Sequence, residues 1–548
     1  MKNLLNHFLT FKTSIPVMDR RKFAGFKSKV VRGLKKQILC VIILSLFVSF
    51  AFAQNLNVGL LSFEEFYRRS QVLGHVDSTI SFTVRPLSLA SIAVKDSNLS
   101  RLGYFIHNSP NSKAKVQILP LLFKQQYYSN PTSSRNDGFM LPTKGYQTLV
   151  STGAYAQFGP LSIQLRPEFI YAGNEVHDVR PYHFGNMDMP AKFGSKPLSQ
   201  IGWGQSSIRL DFGPLSMGLS NENLWWGPGI QNSLLMSNSA AGFKHLTLNT
   251  NRPVQIPVGS FEAQIIAGRL EGSGFNTSLP KDWRYLSGLA FTFQPKWIPG
   301  LFFGLTRSFQ IYNTDMDGSF GDLFPFFQAY QKENTNEDAK RRDQLTSVFS
   351  RFIMPKSKSE IYFEYGLNDH SANIRDFLMS PEHSRSYLLG MNKLIPYKQR
   401  ESEFIQFSAE IIRMEQSIDR VIREAGEWYT HYQVLHGYTH RGEVLGAGIG
   451  PGGNLQTLQV GWVKGLKQIG IQLERFEHNG DLANAYGFSP WIDFSLAAVA
   501  DWTFNKFLIN AKLQGIQSIN YQWKDGMKNR PKQNIFNINA QLGLMYSF

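Results

Sequence analysis

The chain has 548 residues and a formal net charge of +16, with 42% hydrophobic and 14% aromatic residues and a mean hydropathy of −0.23. Cys40 is its only cysteine, which excludes an internal disulfide framework, and cleavage after residue 53 would leave no thiol at all. Residues 1–53 hold ten Lys/Arg against one acid, Asp19, so only +7 falls on the rest of the chain and no stretch of it reads as a nucleic-acid surface.

In chain order, the first feature is an export signal. Lys27, Lys29, Arg32, Lys35 and Lys36 precede an apolar run from Ile38 to Ala53, which ends in Ala51-Phe52-Ala53 before Gln54. Charge, apolar run and a small-x-small site in that order form a secretory signal peptide. The run has about 16 residues, short of the roughly 20 that a membrane helix needs. Leu39 stands before Cys40 where a lipoprotein would carry a small residue. Cleavage is expected after Ala53, with Met18 as an alternative start. Three segments follow: a signal peptide, 1–53; a short N-terminal plug segment, 54–79; and the main domain, 80–548. In the second, Ser62 and Glu65 form an S-x-x-E capping-box pattern. Phe63, Phe66 and Tyr67 keep helical spacing, and Gly74 can end the helix.

Beyond residue 80 the dominant period is two. Leu161, Ile163 and Leu165 alternate with Ser162, Gln164 and Arg166; Ile208, Leu210 and Phe212 alternate with Ser207, Arg209 and Asp211. The same pattern holds at 289–294, 360–365 and 468–474. It places Gln406, Ser408 and Glu410 on one face, and Glu360 and Glu364 on an inward face where carboxylates need partners. Phe158-Gly159-Pro160-Leu161-Ser162 recurs as Phe212-Gly213-Pro214-Leu215-Ser216, a repeated tight hairpin between alternating strands. Asn313 to Leu345, by contrast, reads as a long polar external loop.

A soluble β-sandwich alternates too, but the last strand discriminates. From Phe536 to Phe548 every second residue is Phe, Ile, Ala, Leu, Leu, Tyr, Phe. That length exceeds the usual soluble strand of about 5–6 residues and suits a tilted membrane strand of about 9–11. The ending, with Tyr546 and Phe548, is similar to the terminal signal that the barrel assembly machinery reads. The fold class expected is all-β, a transmembrane antiparallel β-barrel with a short N-terminal helix or plug.

Several side-chain groups invite chemistry. Trp225 and Trp226, beside Asn221, Glu222 and Asn223 and held by Gly227-Pro228-Gly229, could stack on sugar rings; as girdle tryptophans they would be structural. His431, His436 and His440 lack a cysteine or carboxylate at ligand spacing, so no metal is expected there. Asp315-x-Asp317-Gly318 opens like a calcium loop but lacks the later ligands. Asp369, His370, His383 and Ser384 fit no hydrolase order, and there is no G-x-S-x-G, so no catalytic residues are expected.

Longer blocks carry a family resemblance. Asn221-Glu222-Asn223-Leu224-Trp225-Trp226-Gly227-Pro228-Gly229 is followed by Ser233-Leu234-Leu235-Met236-Ser237, then by Gly268-Arg269-Leu270. Asn368-Asp369-His370, Pro381-Glu382-His383-Ser384-Arg385 and Gly437-Tyr438-Thr439-His440-Arg441-Gly442 follow in order. Together they resemble the capsule assembly protein Wzi family over residues 80–548. The resemblance implies an outer-membrane barrel of about 18 strands that binds capsular or other surface polysaccharide and helps assemble or attach it at the cell surface. Residues 54–79 are too short for the N-terminal helical bundle that some members carry. Carried onto these blocks, the ligand-binding candidates are Asn221, Glu222, Asn223, Trp225, Trp226, Arg269, Asp369, His370, Glu382, His383, Arg385, Tyr438, His440 and Arg441. No cofactor is expected. The expected partners are polysaccharide, outer-membrane lipid and the assembly machinery, with the protein a monomer. A porin-like saccharide channel is the alternative, an outer-membrane hydrolase a more distant one.

N-terminal sequencing of the protein recovered from outer membranes should begin at Gln54. Recovery of Met1 or Met18 would exclude the cleavage site.

Overall fold

The computed structural model describes residues 54–89, 91–92, 105–108, 114–131, 135–177, 186–327, 341–368, 378–379, 381–398, 400, 402–417, 426–526 and 531–548. The expected signal peptide and its cleavage site lie outside the described residues, as do Asp369 and His370.

Alternation produces a closed antiparallel barrel of 18 staves. Long strands alternate with short turns at one end and long connections at the other. Gly145–Phe158 turns through Gly159-Pro160 into Leu161–Leu165, which resumes after Pro167 as Glu168–Ala172. Pro167 cannot donate to a ladder, so the stave breaks there. The facing stave breaks at the same height, between Leu198–Gly202 and Ser207–Phe212. Gly204 lies in that gap with φ +54°, and a Cβ on it would meet the Arg166 carbonyl at 2.5 Å. The barrel closes where the last strand, Ile535–Tyr546, pairs with Ala114–Tyr128, from Asn539 opposite Tyr128 to Tyr546 opposite Leu121. The recurrent Gly159-Pro160 and Gly213-Pro214 turns both lie at the short-turn end. In barrels of this kind that end is periplasmic and the long loops are extracellular.

The faces are sorted in the opposite sense to a soluble protein. On Ser207–Phe212, Ser207, Arg209 and Asp211 are buried inside, while Ile208, Leu210 and Phe212 are exposed outside. Ile361 and Phe363, Ile469 and Ile471, Leu496 and Leu513 likewise face out. An apolar exterior of this kind suits lipid, where strands must satisfy every backbone group within the closed ladder.

The lumen is packed with chain. The segment from Gln54 carries the helix Leu61–Val72, ten of whose residues are buried. Its start corrects the capping-box expectation. The N-cap is Leu60, without a side-chain cap, and Ser62 Oγ accepts instead from Asn510 on the wall. Its end is as read: Gly74 has φ +81°, its N–H reaches Gln71 O, and the His75 N–H reaches Ser70 O, a Schellman close. Leu56, Phe63, Phe66, Ile80 and Phe82 form one apolar cluster with Leu466, Leu508 and Met545 of the wall. The extracellular connections 221–244 and 426–453 fold inward to meet it. Leu224, Trp226, Leu234, Met236, Trp428, Tyr429, Tyr438 and Leu445 make a second, larger core.

Plug, loop and wall meet at a knot of buried charge. Glu360, on the wall strand Ser359–Asn368, receives Arg68 of the helix at 3.0 Å and Arg351 of the adjacent strand at 2.7 Å. Asn392 donates to its other oxygen at 2.7 Å. Arg68 also donates to Pro228 O at 2.7 Å, and Arg85, paired with Glu64, donates to Gly229 O at 2.7 Å. Trp225 and Trp226 pair in a two-residue ladder with Arg85 and Val84.

Removing one partner of a buried ion pair strands the others and costs about 3–5 kcal/mol. Glu360→Gln should therefore lower the guanidinium midpoint of the refolded barrel and expose the Leu61–Val72 segment to protease. An unchanged midpoint with a protected segment would show that the knot contributes nothing.

Candidate functional site

The extracellular mouth is shaped by two inward-folded loops, and carboxylates of the wall hold the first by its backbone. Glu410 accepts from the N–H groups of Ile230 (2.9 Å) and Gln231 (3.2 Å), from Asn232 Nδ2 (2.9 Å) and from Tyr362 (2.9 Å). Glu364 accepts from Ser347 at 2.7 Å and the Leu234 N–H at 3.4 Å. The inward carboxylates expected from alternation are thus the anchors of the loop.

The block expected to stack on sugar is the base of this arrangement. Trp226 is fully buried, donates its indole N–H to Gln264 at 2.7 Å, and lies so close to Gly288 that a Cβ there would meet the ring at 2.6 Å. It presents no ring face to a ligand. Trp225 is also buried, with the Arg85 guanidinium 4.5 Å from its ring centre. Glu222 accepts from Arg209 at 2.7 Å, Ser220 at 3.0 Å and Asn55 at 3.1 Å. Burial raises the Glu222 carboxyl, but Arg209 and these donors outweigh it and hold it below the usual carboxylate range. Asn223 bridges Gln205 and the Ala240 carbonyl, and Asn221 ties to Gly204 and Gly242. An inward-folded loop turns its aromatic and amide groups to the barrel interior, which the local sequence pattern does not announce.

Tyr438 and His440 share that fate. Tyr438 is buried, stacks on Tyr429 at 5.9 Å and donates to Ser308 at 2.9 Å. His440 Nδ1 accepts from the Glu271 N–H at 3.1 Å, and burial, with Arg441 and Arg284, pushes its imidazole well below the usual range. Arg385 is buried against the Glu415 carbonyl and pairs with exposed Glu382 at 2.6 Å. His383 is half-buried beside them in sequence.

What remains open to solvent is a rim. Arg269, at the outer end of Gly259–Leu270, and Arg441, in the second loop, both pair with Glu271, at 3.4 and 3.3 Å. Both guanidinium side chains are about half exposed, at 51% and 45%. Arg269 lies 5.0 Å from the ring centre of Trp283. Glu271 and Trp283 were not anticipated; their signal is position alone, directly past the ends of alternating strands. A pocket of about 100 Å³ opens between the loops, with His478, Trp491 and Trp523 in its floor. His478 stacks on Trp491 at 3.5 Å and bonds Asp493 at 2.8 Å.

A family model described as capsule assembly protein Wzi matches residues 130–519, well over half of the chain. The chain belongs to the capsule assembly protein Wzi family. Among solved structures it is similar, at a TM-score of 0.60 and 14% identity, to Wzi of Escherichia coli, over 90% of this chain and 100% of that one. That protein is described as an outer-membrane protein involved in group 1 capsule assembly and a carbohydrate-binding β-barrel. The likeness shows that the fold is that of an outer-membrane barrel. Weaker likenesses are to Acinetobacter baumannii OccAB2 (TM-score 0.40, 9% identity, 79% of this chain and 98% of that one) and Pseudomonas aeruginosa OccK7 (TM-score 0.38, 7% identity, 79% and 98%). These last two carry no weight for the fold or function of this chain. No curated protein matches it. In this Wzi-family barrel, the stretch from Asn221 to Gly229 coincides with the turn that Arg68, Arg85 and Glu410 lock into the lumen.

His436 gives the second loop a pH dependence. Its Nδ1 lies 2.7 Å from the Tyr312 hydroxyl, and burial, then Arg284, lowers its imidazole to about 4. The folded loop therefore holds the neutral ring; the stability this contributes is complete above about 6.5 and is lost as pH falls toward 4. Hydrogen-exchange protection of the amides from Gly437 to Val444 should fall over that window, and His436→Gln should flatten the dependence. Protection that stays constant from pH 7 to pH 4 would remove His436 as its source.

Proposed function

We propose that this protein is a non-enzymatic, glycan-binding outer-membrane barrel that holds capsular or another surface polysaccharide at the extracellular face and helps to assemble or attach it. The observation that carries the reading is the filled lumen: the N-terminal segment from one side and two loops from the other form continuous buried cores between the walls. Such a molecule has its usable surface at its outer rim. Family membership, and the carbohydrate binding described for the Escherichia coli protein, support the same reading.

Of the candidates, the exposed ones are assigned to contact. Arg269 and Arg441 offer planar donors suited to carboxylate and hydroxyl oxygens, with Trp283 as an apolar floor; Glu382, paired with Arg385, offers an acceptor before the strand Arg385–Pro396. Asn221, Glu222, Asn223, Trp226, Tyr438 and His440 act as the scaffold that fixes the rim. The proposal includes export with cleavage after Ala53, insertion by the barrel assembly machinery through the last strand, and a monomer.

Charge-assisted hydrogen bonds are worth about 1.5–3 kcal/mol each, or roughly a tenfold change in affinity or more. Arg269→Ala/Arg441→Ala should therefore weaken binding of the purified barrel to surface polysaccharide at least tenfold, with heat-modifiable migration retained. Undiminished binding would exclude the rim. Planar-bilayer recordings should show little steady conductance; a large open channel would favour the porin reading instead.

A further inference from the structure

The short-turn end of the barrel is unevenly charged. On eight consecutive staves, from Asp343–Met354 to Phe507–Ile519, the turns 355–358, 397–403, 464–467 and 505–506 hold seven Lys/Arg against two acids, Glu401 and Glu403. The turns at 159–160 and 213–214, elsewhere on the ring, hold no charge. A general need for solubility would spread charge round the ring; its concentration on one arc points to a partner there.

The densest part of this arc is a fixed edge. Lys464 stands directly opposite Lys467 across a two-residue turn, and alternation faces both outward, with Trp462 on the first strand and Ile469 and Ile471 on the second. Like charges directly opposite in a ladder repel. The turn is not free to splay them apart: Leu466 is packed in the plug's apolar cluster, and Arg69 of the helix donates to the Gly465 carbonyl at 3.0 Å. Local compensation is incomplete. Glu403 accepts from Lys464 at 3.1 Å, from Arg400 at 3.2 Å and from the Trp462 indole N–H at 3.0 Å, so one carboxylate serves two cations. Lys467 has no carboxylate within ion-pair distance among the described residues; its Nζ rests 4.3 Å from the ring centre of Trp502. The Trp462 and Trp502 rings lie 6.4 Å apart, and Trp502 and Phe504 are exposed on the outer face.

Three cations thus share one acid at the level where water meets hydrocarbon, which outward tryptophans mark on a barrel. The molecule that brings negative charge to that depth, with an apolar body beside the wall, is a phospholipid. A zwitterionic headgroup carries its own cation, which the surplus on this arc repels; a phosphate without one is favoured. We propose that this edge binds the phosphate of an anionic phospholipid of the periplasmic leaflet, with Lys464 and Lys467 on its oxygens and Trp462 and Trp502 against its glycerol and first methylenes. The proposal rests on the orientation of the barrel and is independent of the glycan-binding reading.

The test places the refolded full-length barrel in bilayers and reads quenching of its tryptophan fluorescence by brominated phosphatidylglycerol and brominated phosphatidylcholine. Phosphatidylglycerol should be preferred roughly fivefold or more, since each ammonium near anionic lipid adds to the attraction. Lys464→Gln/Lys467→Gln should abolish the preference and Lys464→Arg/Lys467→Arg should keep it. Lys244→Gln/Lys281→Gln, which removes two exposed lysines beside strand ends at the extracellular side, should leave it unchanged. Each variant must first show heat-modifiable migration; if the double Gln variant fails to fold, Lys467→Gln alone, which spares the Glu403 pair, should at least halve the preference and decides. Equal affinity for the two lipids, or a preference that survives Lys464→Gln/Lys467→Gln, would overturn the proposal. Loss of the preference in Lys244→Gln/Lys281→Gln would overturn it too, by reducing it to net charge. Two further results count against it: displacement of the lipid by sodium phosphate at constant ionic strength would assign the edge to free phosphate, and retention of polyglutamate without any lipid preference would assign it to an acidic periplasmic polymer.

Discussion

Glu360 receives two arginines and an asparagine inside a membrane barrel, and the architecture around it follows from that arrangement. A carboxylate taken out of water is tolerable only with its lone pairs satisfied, and an arginine only with its fork filled. Arg68 comes from the N-terminal helix and Arg351 from the neighbouring stave, while one further nitrogen of Arg68 donates to the Pro228 carbonyl and one of Arg85 to the Gly229 carbonyl. Plug, wall and outer loop are therefore parts of one electrostatic unit. None can shift without stranding charge in the others. The apolar cores then fill space whose geometry is already set.

That unit also determines what kind of surface is left. The two loops that would form tall extracellular lids are drawn down into the lumen, so the mouth is lined by strand ends and loop edges. Arg269, Glu271, Trp283 and Arg441 stand there because the chain emerges there. A long polymer lying across such a rim meets side chains from several staves at once, and many weak contacts over a rigid frame suit a repeating ligand.

Much of the fold was legible in the sequence. The period of two, the repeated Gly-Pro turns and the long final strand each reflect a local rule: one face for lipid, one for the lumen, and a length set by the membrane. The inward placement of Glu360, Glu364 and Glu410 follows from the same rule. The helix end at Gly74 was legible because a left-handed cap is a property of one residue. Its start was not: Ser62 fits a cap by pattern, yet its hydroxyl is taken by Asn510, a partner more than four hundred positions away. Trp225 and Trp226 were ambiguous for the same reason. A tryptophan pair beside amides is equally suited to a sugar or to an interior, and only the fold-back of residues 221–244 decides between them. The rim pair Arg269 and Arg441 came from family blocks, while Glu271 and Trp283, which complete it, carry no local signature.

The separation of the knot's partners along the chain has a consequence for time as well as space. Arg68 meets Glu360 across 292 positions, and Arg69 meets Gln468 across 399. The N-terminal segment precedes every stave along the chain, yet the wall around it closes only where Ile535–Tyr546 pairs with Ala114–Tyr128. Until then Arg68, Arg69 and Arg85 must stay hydrated, and the inward acids of the wall must face water too. Dehydration of the interior and closure of the cylinder are thus one concluding event, and a chain stalled before its final strand keeps its arginines exposed to the periplasm.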